Sequence, residues 1–145
     1  MTKLIVAFIT FVAPHLSQGR ALELAKPIAA VSRDVDDAIT LVVVANSESS
    51  FRKDIETCEV TGDNGRAIGL TQLHWYHWGR YTKDEICGNT KLQMAIALRA
   101  LGEKSVGDSE RMARYLGRKP GDEEVLRRVT LIAQLRGIAN ANGSR

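Results

Sequence analysis

A glutamate at the polar end of an apolar run is the strongest candidate for chemistry in this sequence. Glu48 follows the run from Ala38 to Asn46, in a stretch that closes at Gly69 to Gln72 (GLTQ). A carboxylate at the boundary between a buried element and a polar loop is partly desolvated, and desolvation favours the protonated form that a general acid needs. We therefore predict that Glu48 is a proton donor.

The apolar run must supply the buried element that positions Glu48. Its residues Ile39 to Val44 are mostly β-branched, which favours a strand. Its length and the acidic residues Asp36 and Asp37 in front of it favour a helix instead. Residue physics leaves the choice open, but either element would be the buried centre of the domain with Glu48 at its exit.

A turn-rich segment follows. Thr61 to Gly65 (TGDNG) has the residues that tight turns and positive φ angles require, and it lies between Cys58 to Val60 and Ala67 to Leu70. This pattern predicts a small β-hairpin with Asp63 at its turn.

The C-terminal third has helical periodicity. We predict helices over Thr90 to Leu101, over Glu110 to Leu116, and from Asp122 onwards, where Asp122 is the cap. Residues 138–145 are predicted to form a flexible tail. With no internal repeat, residues 21–137 are expected to form one domain, mainly α with a small β-region.

Composition sets limits on the function. The 145 residues are 44% hydrophobic and 26% charged, which is typical of a globular domain. The net charge of +3 and the pI near 9.0 would attract an anionic polymer. Lys and Arg are spread along the chain without a run, which disfavours a nucleic-acid binder.

The N-terminus has the pattern of an export signal. Lys3 precedes the apolar run Leu4 to Ala13, and small residues follow near position 20. We predict a signal peptide over residues 1–20 and an exported protein, periplasmic or extracellular. The run is too short for a permanent membrane span. The alternative is an ordinary buried first helix.

The chemical state of the two cysteines, Cys58 and Cys87, depends on whether the protein is exported. In an exported chain we expect them to form a disulfide, whereas in the cytosol they would be two free thiols. No C-x-x-C spacing is present, and His74 and His77 have no evident third ligand nearby, so no metal site is expected.

Three segments together resemble the catalytic signature of lytic transglycosylases and goose-type lysozymes. The Glu48-Ser49 pair matches the family's Glu-Ser, and Gly69 to Gln72 matches its Gly-Leu-x-Gln segment. Downstream, Ala113 to Gly117 (ARYLG) is similar to the family's Ala-x-Tyr-Asn-x-Gly, with Leu116 where Asn is usual.

The resemblance implies a lysozyme-like helical domain in which the catalytic Glu ends a buried helix and a small β-region forms one wall of a cleft. It therefore implies that Ala38 to Asn46 is a helix. It also implies that Glu48 protonates the bond between N-acetylmuramic acid and N-acetylglucosamine in peptidoglycan. The positions that match the family's substrate-contacting or supporting residues are Ser49, Gly69, Leu70, Gln72 and Tyr115.

The resemblance leaves the second reacting group open. In a lytic transglycosylase the 6-hydroxyl of muramic acid attacks the anomeric carbon, so that Glu48 is the only catalytic carboxylate. In a hydrolytic muramidase an aspartate positions water, and Asp63 is the best candidate, with Asp54 and Glu56 behind it. A catalytically weak peptidoglycan-binding module is the further alternative. In each case we expect a monomer that binds peptidoglycan glycan strands without a cofactor.

Aromatic residues are concentrated after the Gly-Leu-x-Gln segment. Flat aromatic faces are suited to stacking on sugar rings, so these residues are candidate sugar contacts. They are Trp75, Tyr76, Trp78 and Tyr81.

Overall fold

Helix α3 (Val35–Ser49) is the buried centre of the protein, in a computed structural model that describes residues 1–143. The side chain of Asp34 caps it by accepting a hydrogen bond from the Asp37 amide at 3.0 Å. Every residue from Ala38 to Ala45 is buried. The helix implied by the resemblance is therefore confirmed, because burial on all sides outweighs the β-propensity of the valines.

The other helices surround α3. It packs against α1, α2, α7 and α9, while α8 joins α7 to α9 and the short helices α4 to α6 flank the β-region. This arrangement confirms a mainly α fold. Their bounds are α1 Thr2–Val12, α2 Gln18–Val31, α4 Lys53–Glu56, α5 Trp75–Trp78, α6 Lys83–Ile86, α7 Thr90–Leu101, α8 Asp108–Leu116 and α9 Glu123–Gly143.

The β-region differs from the predicted hairpin. Strands β1 (Ala67–Ile68) and β2 (Leu73–His74) pair antiparallel, so the turn that joins them is residues 69–72. Residues 58–60 form no strand, and only Gly62 makes a bridge to Ala67. Residues 63 and 64 have positive φ angles of 47° and 54°, and the 3₁₀ turn Asp63–Gly65 lies in the loop that the Gly62–Ala67 bridge closes. The hairpin predicted here is therefore reduced to a single bridge.

Helix α1 occupies the segment that was predicted to be a signal peptide. It packs against α2 and α3, and its side chains Ile5, Phe8 and Ile9 are fully buried. Removal of residues 1–20 would take these three side chains out of the core, so cleavage of this segment stays a prediction. Within residues 1–143, no helix combines the length and the apolar character that crossing a membrane requires.

Helix α9 extends further than the sequence indicated. It continues to Gly143, so residues 138–143 are helical where a flexible tail was predicted, and positions 144 and 145 lie outside the described residues. Ile138 and Ala139 pack partly against the core, and α9 contacts α1. Packing of this face against the N-terminal helix therefore outweighs the weak helix propensity of the Gly and Asn residues.

Two cross-links hold together the segments around the β-region. The predicted disulfide between Cys58 and Cys87 is present, with a Cα–Cα distance of 5.5 Å. The buried amide of Gln93 on α7 accepts a hydrogen bond from the Leu70 amide at 2.8 Å, and it donates to the carbonyl oxygens of Glu56 at 2.8 Å and Ile86 at 3.0 Å. One side chain thus joins backbone groups from three separate segments of the chain.

Candidate active site

Glu48 lies on the last turn of α3, where the helix end meets a cleft of about 650 Å³. Its side chain is 18% exposed. The helical wall of the cleft consists of Glu48, Tyr115, Leu116, Glu124 and Arg128, and the opposite wall consists of Asp63, Ala67, Gln72, His74 and Tyr76. The structure therefore brings together four of the predicted site residues, Glu48, Asp63, Gln72 and Tyr115.

An arginine that the sequence did not single out is the direct partner of Glu48. Arg128 on α9 donates from Nη1 to Glu48 Oε1 at 2.8 Å, and its own side chain is only 5% exposed. Its Nε donates to Glu124 Oε1 at 3.2 Å. The proposed proton donor is thus paired with a buried cation, which stabilises its negatively charged form.

Gln72 projects from the turn between β1 and β2 into the cleft. Its Nε2 donates to the carbonyl oxygen of Gly69 at 3.1 Å, and its backbone has a φ of 49°. The side chain lies over Gly62, where any β-carbon would collide with the Gln72 amide oxygen. Gly62 is therefore required for the position of Gln72.

Tyr115 connects the two walls. Its hydroxyl donates to the carbonyl oxygen of Thr71 at 2.7 Å, and its ring stacks on His77 with a centroid distance of 5.5 Å. Burial raises the pKa of Tyr115, and the nearby negative charge of Glu48 raises it further, so the hydroxyl stays protonated. The resemblance implied a substrate-contacting or supporting role for this tyrosine, and its hydrogen bond supports the β-region.

Asp63 lies across the cleft from the helical wall. Its carboxylate is half exposed and 3.8 Å from Nδ1 of His74. Asp63 has a φ of 47°, a left-handed conformation that Asp tolerates better than most residues. The residue is therefore both a turn former and a carboxylate that water or a ligand in the cleft can reach.

Three of the predicted substrate-contacting residues do not line the cleft. Ser49 is buried, and its hydroxyl donates to the Ala45 carbonyl at 2.8 Å while accepting from the Phe51 amide at 3.2 Å, so it closes the end of α3. Leu70 is fully buried in the core. Gly69 has a φ of 74°, and a β-carbon there would lie 2.7 Å from the Gln93 side chain. These three residues support the segments that carry the cleft-lining side chains and do not face the cleft themselves.

The two further carboxylates considered for positioning water are also elsewhere. Glu56 is 3% exposed, and Arg20 at 2.7 Å, Lys53 at 3.0 Å and the Thr90 hydroxyl enclose it. Burial alone would raise the pKa of Glu56, but the hydrogen bonds from these three partners outweigh it and lower the pKa. Asp54 pairs with Arg52 and does not line the cleft. Glu56 therefore has a structural environment.

The aromatic residues divide between the cleft and the core. Tyr76 is exposed at the cleft and stacks on His74 at 5.4 Å between ring centroids. Trp78 and Tyr81 pack partly against the core, with Trp78 Nε1 donating to the Leu73 carbonyl at 3.0 Å. Trp75 is 65% exposed but lies outside the cleft lining. Tyr76 is thus the aromatic face available to a ligand in the cleft.

Within residues 1–143, no group of three or more His, Cys, Asp or Glu side chains is placed to hold a metal ion.

The pKa of His77 is lowered by burial and by the nearby His74 and Arg99. Neutral His77 is therefore well suited to stack on Tyr115.

Sequence reasoning missed three residues that organise the site, which are Glu124, Arg128 and Gln93. Glu124 and Arg128 are four residues apart, the spacing of an ion pair on a helix. The pairing of Arg128 with Glu48 spans 80 positions, so no local pattern indicates it. Gln93 lies on the face of α7 directed at the core, where an amide is unusual.

No protein-family model matches the chain, and no curated protein or solved structure shows significant similarity to it. The likeness to lytic transglycosylases and goose-type lysozymes therefore depends on the residues of the three segments themselves.

Proposed function

We propose that the protein cleaves the glycan strands of peptidoglycan, with Glu48 as the catalytic residue. The observation that carries this proposal is the position of Glu48, a partly enclosed carboxylate at the end of a buried helix that opens into a cleft of about 650 Å³. A cleft of this volume can hold a few sugar rings. Asp63, Gln72 and Tyr76 face the same space.

In the lytic transglycosylase mechanism, Glu48 acts first as acid and then as base. Its proton passes to the glycosidic oxygen, the bond to the anomeric carbon of N-acetylmuramic acid breaks, and N-acetylglucosamine leaves with a free 4-hydroxyl. The Glu48 carboxylate then takes the proton of the muramic acid 6-hydroxyl, whose oxygen bonds to the anomeric carbon. The product is a 1,6-anhydro sugar.

A hydrolytic muramidase is the second candidate, and the position of Asp63 favours it. This carboxylate is half exposed on the wall opposite Glu48, where it can hold a water molecule. Two carboxylates flanking one cleft are what hydrolysis by a glycosidase requires. A binding module that uses the cleft without turnover is the remaining alternative.

The experiment is the release of soluble muropeptides from purified sacculi by the full chain and by Glu48→Gln. The variant is expected to keep its fold and its binding to sacculi while losing release. Full release by Glu48→Gln would contradict the role of Glu48. No release by the parent protein, with binding retained, would identify a binding module.

The mass of the released products separates the two enzymes. A transglycosylase gives products lighter by one water than those of a hydrolase. If the products carry a reducing end, Asp63→Asn is expected to lower release strongly. If they are anhydro products, the same substitution is expected to have a small effect.

A further inference from the structure

Arg128 is the most unusual group of the cleft. It is a guanidinium with a side chain that is 5% exposed, and it bridges two carboxylates, Glu48 at 2.8 Å and Glu124 at 3.2 Å. A buried arginine is costly to desolvate, and its pairing with two carboxylates offsets this cost. Both of its partners line the cleft, so its position affects the site directly.

Helix α9 holds Arg128 in this position. Glu124 lies one turn before it and also accepts a bond from Arg127 Nη1 at 3.1 Å, so Glu124 is shared by two arginines. Its side chain is 28% exposed. Arg128 thus has one fixed partner on its own helix and a second partner, Glu48, on α3.

The other charged or titratable groups around the pair come from every wall of the cleft. On α8, the buried Tyr115 interacts electrostatically with both Glu48 and Arg128. On the rim, the exposed Arg127 pairs with Glu123 at 3.8 Å, and Arg118 pairs with Asp122 at 3.2 Å. The groups on the opposite wall are Asp63, His74 and Tyr76.

We propose that Arg128 is a positioning residue that holds Glu48 through Oε1 and, balanced by Glu124, supplies the positive charge opposite the Glu48 carboxylate. This inference rests on the proposed function, since it concerns how the same acid is controlled. The bond directs one carboxylate oxygen at α9 and leaves the other for the substrate. The positive charge stabilises the carboxylate after the proton has been transferred.

A general acid must carry its proton, so we expect activity to fall on the alkaline side of the pH profile. Removing a cation at hydrogen-bond distance is expected to move this alkaline limb to higher pH by about one unit. Removing the carboxylate of Glu124 leaves Arg128 to Glu48 alone and leaves Arg127 to Glu123. The limb is then expected to move to lower pH by about half a unit.

The test measures release from sacculi against pH for the parent, Arg128→Met, Arg128→Lys and Glu124→Gln. Arg128→Lys keeps the charge and is expected to restore most of the parent profile. Arg114→Met is the matched control, because Arg114 on α8 is exposed, pairs with Glu110 at 3.0 Å and lies outside the cleft lining. Its limb is expected to coincide with that of the parent.

A second readout does not need turnover. The ¹³C resonance of the Glu48 side-chain carboxyl, assigned by its absence in Glu48→Gln, is titrated in the same variants. The midpoint is expected to rise in Arg128→Met and to fall in Glu124→Gln. If Arg128→Met does not fold, the displacement in Glu124→Gln still tests the proposal.

The two proposals fail differently. A parent protein without turnover whose Glu48 midpoint moves as expected would overturn the enzymatic function and keep the role of Arg128. An active parent whose variants keep both the limb and the midpoint would overturn the role of Arg128 alone. Loss of activity in Arg128→Met with an unmoved limb would show that the arginine only supports the fold.

Discussion

Glu48 and Glu56 are two partly or fully enclosed glutamates eight positions apart, and each is paired with an arginine. Glu48 has one arginine and opens into a cleft, with 18% of its side chain exposed. Glu56 has Arg20, Lys53 and Thr90 around it and is 3% exposed. Burial and an ion pair are common to both, so access to a ligand is what separates a candidate catalyst from a structural anchor.

The regions around the two glutamates differ in the same way. Next to Glu56 lie the disulfide and the Gln93 amide, and Gly88 donates its amide hydrogen to the Glu56 carbonyl at 2.9 Å. Around Glu48 the side chains are charged, and several are partly exposed on the cleft walls. We therefore expect substitutions near Glu56 to lower stability and substitutions near Glu48 to lower activity.

The largest expected effect on stability is the loss of the disulfide. The double variant Cys58→Ser/Cys87→Ser opens a loop with a sequence separation of 29. In the chain-entropy model this lowers the free energy of unfolding by about 3.5 kcal/mol. Urea denaturation of the parent and the variant measures the difference. A loss of activity in variant molecules that are still folded would contradict the expectation that changes near Glu56 lower stability and leave activity intact.

Glu56→Gln is expected to have a similar effect. The substitution removes the buried partner of the largely buried Arg20, which keeps only the exposed Glu23 as a carboxylate partner, and this costs about 3 kcal/mol of the free energy of unfolding. Thr90→Val, which removes only the hydroxyl, serves as a milder control. If Glu56→Gln were as stable as the parent, the claim that the Glu56 carboxylate stabilises the fold would be contradicted.

A third carboxylate, Asp37, gives an expected pH dependence. It is fully buried, and although burial would raise its pKa, hydrogen bonds from Arg33 and Lys104 bring the pKa down to about 2. A lowered pKa stabilises the folded state at pH values above the ordinary pKa of an aspartate. The contribution, about 2 kcal/mol, is lost as the pH falls from about 4 to about 2.

The free energy of unfolding measured between these pH values tests this expectation. Asp37→Asn is expected to flatten the acid-side slope and to leave the alkaline limb of activity where it is. A displaced limb would mean that the buried start of α3 influences the cleft at its other end.

The smallest expected effect comes from Tyr115→Phe. The lost hydroxyl leaves the Thr71 carbonyl without its donor, which costs about 1.5 kcal/mol. If Tyr115 connects the two walls without taking part in the reaction, release from sacculi falls by about tenfold at most. A loss as large as that of Glu48→Gln would instead place Tyr115 among the catalytic residues.

The sequence indicated the parts of the site that depend on local patterns. An acidic cap, an uninterrupted apolar run and a carboxylate at its end were sufficient to predict the buried element with Glu48 at its exit, although helix and strand were separated only by the resemblance. The C-terminal helices at Thr90 and Asp122 likewise followed from caps and periodicity.

The features that the sequence did not indicate depend on distant contacts. Arg128 reaches Glu48 from another helix, and Gln93 on α7 accepts the hydrogen bond of the Leu70 amide in the turn between β1 and β2. The partners of Ser49 were not indicated either, because a hydroxyl at a helix end has backbone groups within reach, and Ser49 bonds to those.

The most direct test compares Glu48→Gln with Glu56→Gln in one assay. Both variants remove one negative charge and keep the shape of the side chain. The initial rate of muropeptide release, at a temperature where both proteins are folded, is expected to fall about 1,000-fold for Glu48→Gln and to stay near the parent value for Glu56→Gln. Release by Glu48→Gln at the rate of the parent would contradict the assignment of Glu48 as the catalytic acid.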